Sequence, residues 1–159
     1  MRKSKNIAFV HYPHYPDSAR VDTMPFVLNS IKKLSEMVKK ASQKGAKLIV
    51  APETSIGMFA DVKTVGTDYL PALKQIAKKY KIFLSTSFYK KIKNEIYNQG
   101  YIIDDHGQSI LEHKKVYLAP PEKIEQKISA GNKVSSKKTN IGKLGMLICK
   151  DGFTKYSHF

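Results

Sequence analysis

The chain holds a single cysteine, Cys149, and its setting is what could make it react. It ends an apolar run, GKLGMLIC, and is followed at once by Lys150-Asp151-Gly152, residue types that suit a sharp turn. A sulfur at such an elbow is exposed, has backbone N–H groups beside it to hold an oxyanion, and is acidified if a helix begins there. A thiol nucleophile also needs a base within reach and a cation to favour its anion. Glu53 stands just after the apolar run KLIVA and Pro52, and the pair Lys114-Lys115 just after QSILEH. Singly, each has an ordinary reading: a buried inert thiol, a solvated or turn-capping carboxylate, an exposed ammonium. Together they differ from that background, because all three follow strand-like runs. In layered α/β folds the carboxyl ends of strands gather around the site.

Those runs need elements to aim them. Asn6 to Tyr12 (NIAFVHY) is a short apolar and aromatic run closed by Pro13, as in a first strand. From Pro25 to Lys44 the residues Val27, Ile31, Leu34, Val38 and Ala41 recur at helical spacing, with Thr23 upstream as a cap and Gly45 as the stop. Lys47 to Ala51 is uniformly apolar after its lysine, as in a strand covered on both faces. A second helix is expected over Thr67 to Tyr80, with Tyr69, Leu73, Ile76 and Tyr80 on one face, then a strand from Lys81 to Phe88. Tyr97 to Asp104 and Gln108 to Glu112 read as a hairpin turning through Asp105-His106-Gly107, so the sheet is mixed. Lys123 to Asn140 is polar and turn-rich, and Gly142 to Cys149 is expected as a last strand. Alternating strands and helices followed by a hairpin indicate an α/β layered architecture.

Composition narrows the field. At 159 residues and 42% hydrophobic content, one domain with a real core is expected. The basic start lacks the long apolar run of a signal peptide, and no stretch is long enough to cross a bilayer, so a protein without membrane spans is expected. A lone thiol favours a reducing compartment, and the cytoplasm is the economical assignment. His11, His14, His106, His113 and His158 lack metal-ligand spacing, so no metal cofactor is expected. The net charge of +15 raises nucleic acid as a partner. Only Arg2 and Arg20 among the 28 basic residues are arginines, and the lysines come in scattered pairs, so a specific nucleic-acid function is not expected.

Five blocks, in order, resemble the nitrilase superfamily, the carbon-nitrogen hydrolases: NIAFVHY, GAKLIVAPET, YNQGYIIDDHGQSILEHKKVYL, AGNKV and IGKLGMLICKD. The resemblance implies an α-β-β-α layered sandwich. It matches the family's glutamate base to Glu53 in APE and its nucleophile to Cys149 in LICKD. Its lysine falls on Lys115 rather than Lys114, because Lys115-Val116-Tyr117-Leu118 fits the family spacing. Glu122 in LAPPEK matches a second glutamate that supports substrate positioning, although as a loop carboxylate it reads equally as exposed. The implied chemistry is attack of the thiolate on an amide, carbamoyl or nitrile carbon, forming a thioester or thioimidate that water cleaves. Lys115 and the backbone N–H of Lys150 would hold the oxyanion. Asp151 reads as structural. Family members continue well past the cysteine, so residues 1–159 are expected to be a single hydrolase domain truncated at its C-terminus. Two expectations follow: a catalytic piece working as a homo-oligomer or with a complementing C-terminal polypeptide, or a silent homologue serving only in assembly.

Overall fold

The computed structural model describes residues 6–10, 24–57 and 66–153. Tyr12 and the proposed cap Thr23 lie outside those residues. Strand β1 (Ile7–Phe9) leads to helix α1 (Met24–Gln43), strand β2 (Leu48–Val50), helix α2 (Leu70–Tyr80) and strand β3 (Phe83–Ile92). Then come β4 (Glu95–Ile103), β5 (Ser109–Lys114), the short helix α3 (Pro120–Ile124), and strands β6 (Ser136–Thr139) and β7 (Gly142–Gly145). A 3-10 turn covers Cys149–Phe153.

Strands β1 to β5 form one sheet in sequence order. The first three are parallel, β4 is antiparallel to β3, and β5 is antiparallel to β4. β5 therefore runs in the direction of β2, and the carboxyl ends of the two share one edge of the sheet. Their side chains sort by the two-residue period of a strand. Ile49, Leu84, Phe88, Tyr101 and Ile103 pack with α1 and α2 in one core, alongside Val27, Leu34, Val38 and Leu73. Leu48, Phe83, Ile102 and Leu111 point the other way and meet Met146 and Ile148. Ile141 and Leu144, from the β6–β7 hairpin and its turn, pack on that second cluster. The described layers are thus helices, sheet, and a small second sheet.

Helix α1 forms as its spacing indicates, and Gly45 ends it at φ 81°. Helix α2 starts three residues later than Thr67, at Leu70, with Pro71 in its first turn. Two strand expectations are corrected. β3 does not stop at Phe88 but runs through Lys90 and Lys91 to Ile92, then turns at Lys93-Asn94 into β4, with Ile92 opposite Glu95. Its polar end reads as loop in sequence, yet unbroken pairing with Glu95, Ile96 and Tyr97 carries it. The last strand ends at Gly145, four residues short of Cys149. Beyond it Met146 and Ile148 are buried while Leu147 is 39% exposed, so packing on the sheet face, rather than strand pairing, places the segment. Gly100 permits that approach: a Cβ there would lie 3.1 Å from the Ile148 Cδ1 and closer still to the Met146 sulfur.

Candidate active site

The end of β2 sets the first side chain. Pro52 has no N–H to extend the ladder, and the chain turns through Glu53 to Ile56. The turn is stitched to β3: the Thr54 N–H donates to the Ser87 hydroxyl at 2.8 Å, and Ser55 and Thr86 hydroxyls pair at 2.6 Å. Thr54 sits at φ 48° and Cys149 at φ 45°, left-handed backbone that costs a non-glycine residue about 1–3 kcal/mol. Both strained residues flank the site.

The end of β5 sets the second. Leu111 and His113 are buried and Glu112 is exposed, so strand alternation turns Lys115 to the same face as Leu111 and His113. Lys114 goes the other way, its ammonium 3.7 Å above the Tyr97 ring. The Lys115 N–H donates to the Asn98 carbonyl at 3.0 Å, which makes Asn98 its cross-strand neighbour.

Around that pair the polar side chains close a ring. The Lys115 ammonium donates to Glu53 Oε1 at 2.6 Å and to Glu122 Oε2 at 2.7 Å. Asn98 Nδ2 donates to Glu53 Oε1 at 2.8 Å and to Glu122 Oε1 at 3.0 Å. Glu122 is not an exposed loop carboxylate. It is 5% exposed and also accepts the Ala119 N–H, which opens the short helix α3. Burial penalises the Lys115 ammonium, but its hydrogen bonds to Glu122 and Glu53 outweigh that and hold its pKa above the ordinary lysine value. Gly131, in the AGNKV segment, donates its N–H to the Lys115 carbonyl at 2.8 Å and braces the same strand end.

Cys149 lines a cleft of about 100 Å3 together with Glu53, Ser85, Ser87 and Ile148. The thiol is accessible. Partial burial, the Glu53 charge and a hydrogen bond to Glu53 push its pKa up, against the Lys115 charge and the Lys150 N–H. The acidified thiol expected of a helix-opening elbow is therefore not what forms. A five-residue 3-10 turn has little dipole to offer, and the nearest carboxylate opposes a second negative charge. The Lys150 side chain points away and donates to the Leu118 carbonyl at 3.1 Å, leaving only its backbone N–H beside the sulfur.

The structure thus brings Glu53, Lys115 and Glu122 into one cluster and sets Cys149 and Glu53 on one cleft. Sequence reasoning missed Asn98. The signal available was an asparagine, a residue depleted in strands, standing with Gln99 and Gly100 between Tyr97 and Tyr101 in a run otherwise expected to be a strand. Asp151 is fully buried and binds His113, a partner that sequence did not suggest.

A mixed sheet with helices on one face, a second sheet on the other, and this cluster at the shared strand ends defines a layered α/β fold with its candidate site at one edge of the sheet. The chain belongs to the carbon-nitrogen hydrolase family, whose model matches residues 27–157. Its relatives include the chloroplastic omega-amidase of Arabidopsis thaliana, 26% identical over 141 residues covering 77% of this chain and 38% of that protein. Nitrilase homolog 2 of Dictyostelium discoideum is 31% identical, covering 79% of this chain and 42% of that protein. The chain thus spans less than half the length of these two relatives. A solved amidase from Nesterenkonia sp. has the same fold, with a TM-score of 0.75 at 19% identity over 92% of this chain and 56% of its own.

Proposed function

We propose that the chain carries the Glu53, Lys115 and Cys149 triad of an enzyme hydrolysing a non-peptide carbon-nitrogen bond in a small amide-bearing molecule. The observation that carries this reading is the cluster of Glu53, Lys115 and Glu122, closed at 2.6 and 2.7 Å, beside the cleft that Cys149 lines. The amidase names of its relatives support the substrate class. In the reaction, Glu53 takes the thiol proton and Cys149 Sγ bonds to the carbonyl carbon. The raised thiol pKa fits this order, in which the proton leaves as the nucleophile attacks rather than beforehand. The oxyanion is met by the Lys115 ammonium and the Lys150 N–H. Glu53 returns the proton as the carbon-nitrogen bond breaks, releasing ammonia or an amine and leaving a thioester on Cys149. Water, deprotonated by Glu53, then cleaves the thioester to a carboxylic acid and the free thiol. Carbamoyl and nitrile carbons are open to the same attack. Glu122 and Asn98 hold Lys115 and Glu53 in place.

The working form is an assembly, with a second copy or a complementing polypeptide covering apolar groups such as Phe9, 79% exposed, and Phe153, 86% exposed. A reducing compartment such as the cytoplasm suits the accessible thiol. The test is ammonia release from a panel of small amides, with mass spectrometry for an acyl adduct on Cys149. Release and adduct by the wild type, both lost in Cys149→Ala, are expected. Undiminished release by Cys149→Ala would refute the reading.

A further inference from the structure

The reaction above leaves unused a pair of buried titratable side chains, His113 and Asp151, exposed by only 2% and 0%. We propose that they form a positioning pair that locks the Cys149 turn to the strand end bearing Lys115, and so sets where the thiol sits relative to Glu53. The proposal rests on reading Cys149 as the nucleophile.

Four hydrogen bonds converge on the Asp151 carboxylate. Oδ1 accepts the N–H groups of Val116 at 3.0 Å and Tyr117 at 2.8 Å. Oδ2 accepts the Ile148 N–H at 3.1 Å and faces His113 Nε2 at 2.7 Å. These donors come from three places: strand β5, the two residues after Lys115, and the residue before Cys149. One carboxylate two positions past the nucleophile therefore ties down both the chain entering it and the chain leaving the lysine. Burial disfavours the ionised Asp151, yet hydrogen bonds from His113, Tyr117 and Ile148 outweigh it and keep the carboxyl below the ordinary aspartate value.

His113 supplies what the backbone cannot. It lies opposite Gly100 in the β4–β5 register, so no neighbouring side chain crowds the ring on that strand. An ionised Asp151 only accepts, so Nε2 carries the proton. The other nitrogen, Nδ1, has no hydrogen-bond partner among the described residues. Moving the proton to Nδ1 would bury a donor without an acceptor and set two acceptors face to face. Neither side chain lines the cleft, so both act through Cys149 and Lys115.

The test is the rate of Cys149 alkylation by iodoacetamide against pH in the full chain, with circular dichroism to establish folding. In Asp151→Asn the amide sets a donor against the donors it replaces or swings away from them, and His113→Leu removes the side-chain donor. In both, the thiol leaves Glu53, and alkylation at neutral pH becomes roughly three- to tenfold faster as the profile moves toward that of a free thiol. His113→Gln keeps an N–H for Asp151 and retains the wild-type profile. A role in stability alone would lower the melting temperature and leave the profile of the folded protein unchanged. Folded Asp151→Asn and His113→Leu with the wild-type profile would overturn the proposal, as would His113→Gln behaving like His113→Leu. Should the variants not fold, nitrogen NMR of the wild-type His113 ring decides, with a proton on Nε2 expected and one on Nδ1 overturning the pairing. Alkylation needs no amide, so a chain that hydrolyses nothing still tests the pair, and an unlabelled Cys149→Ala that still hydrolyses defeats only the proposed function.

Discussion

Replacing Lys115 by methionine keeps the stem of the side chain and deletes its charge. The ammonium is 1% exposed and lies 2.6 Å from Glu53 and 2.7 Å from Glu122, whose side chains are 30% and 7% exposed. Removing one partner from a buried ion pair costs about 3–5 kcal/mol, because the other charge stays behind unpaired. Water reaches Glu53 and softens its share, so about 3 kcal/mol is expected, most of it from Glu122. For a chain of this size that corresponds to a fall in melting temperature of about 6–12 °C. The chain has no tryptophan, so the transition is followed by circular dichroism or tyrosine fluorescence. Because the Lys115 pKa is raised above 10.5, the stability it contributes is fully present below pH 10.5 and lost as pH rises through the folded value. The wild type should therefore lose stability in strong alkali that Lys115→Met does not lose. A double-mutant cycle with Glu122→Gln isolates the pair and should give a coupling of about 1–3 kcal/mol. A melting temperature within about 2 °C of wild type for Lys115→Met, or a vanishing coupling, would refute the cluster as described.

Glu53→Gln removes the charge that pushes the Cys149 thiol up, so its alkylation profile should shift to lower pH while amide hydrolysis falls by about 10²-fold or more. An unchanged profile would separate Glu53 from the thiol. In Gly131→Ala the new Cβ would come within 2.7 Å of the Lys114 Cβ and closer to its carbonyl, so the strand end must shift; a loss of about 1–3 kcal/mol is expected in urea titration. Gly152→Ala, with nothing among the described residues within 4 Å of the added methyl, is the control and should stay near wild type. Asn98→Asp sets a third carboxylate against Glu53 and Glu122 and should destabilise more than Asn98→Ser, as read by thermal melts.

Much of this was legible in the chain, for reasons specific to each part. Helix α1 carries an uninterrupted apolar stripe, and β2 is short and apolar, so periodicity alone marks both and delivers Glu53 to a strand end. The hairpin of β4 and β5 announces itself through Gly107, which adopts φ 81° and whose Cβ would come within 2.8 Å of the Lys74 carbonyl. Lys115 was separated from Lys114 by the family spacing of Lys115-Val116-Tyr117-Leu118, and strand alternation from the buried Leu111 and His113 turns it inward. What stayed hidden depends on pairing across distance. The end of β3 is polar and strand-like only because β4 lies beside it. The run into Cys149 is as apolar as a strand, yet the described neighbours of Met146 and Ile148 lie beneath it rather than alongside. Asn98 and Asp151 owe their roles to partners 45 and 38 positions away, Glu53 and His113, which no local pattern reveals.

The direction of β5 carries a constraint on how such a chain can change. Glu53 and Lys115 meet because two reversals, one at each end of β4, restore the heading that β3 shares with β2. Turns at Lys93-Asn94 and Asp105-His106 can lengthen freely without moving either group. Gain or loss of a single hairpin-joined strand would invert that heading and carry Lys115 to the opposite edge, about 20 Å away along a six-residue strand, whereas a strand joined by a helical crossover, as β3 is to β2, would not. Insertions here are therefore tolerated in whole hairpins or in loops, and odd numbers of hairpin-joined strands are forbidden by the lysine rather than by the sheet.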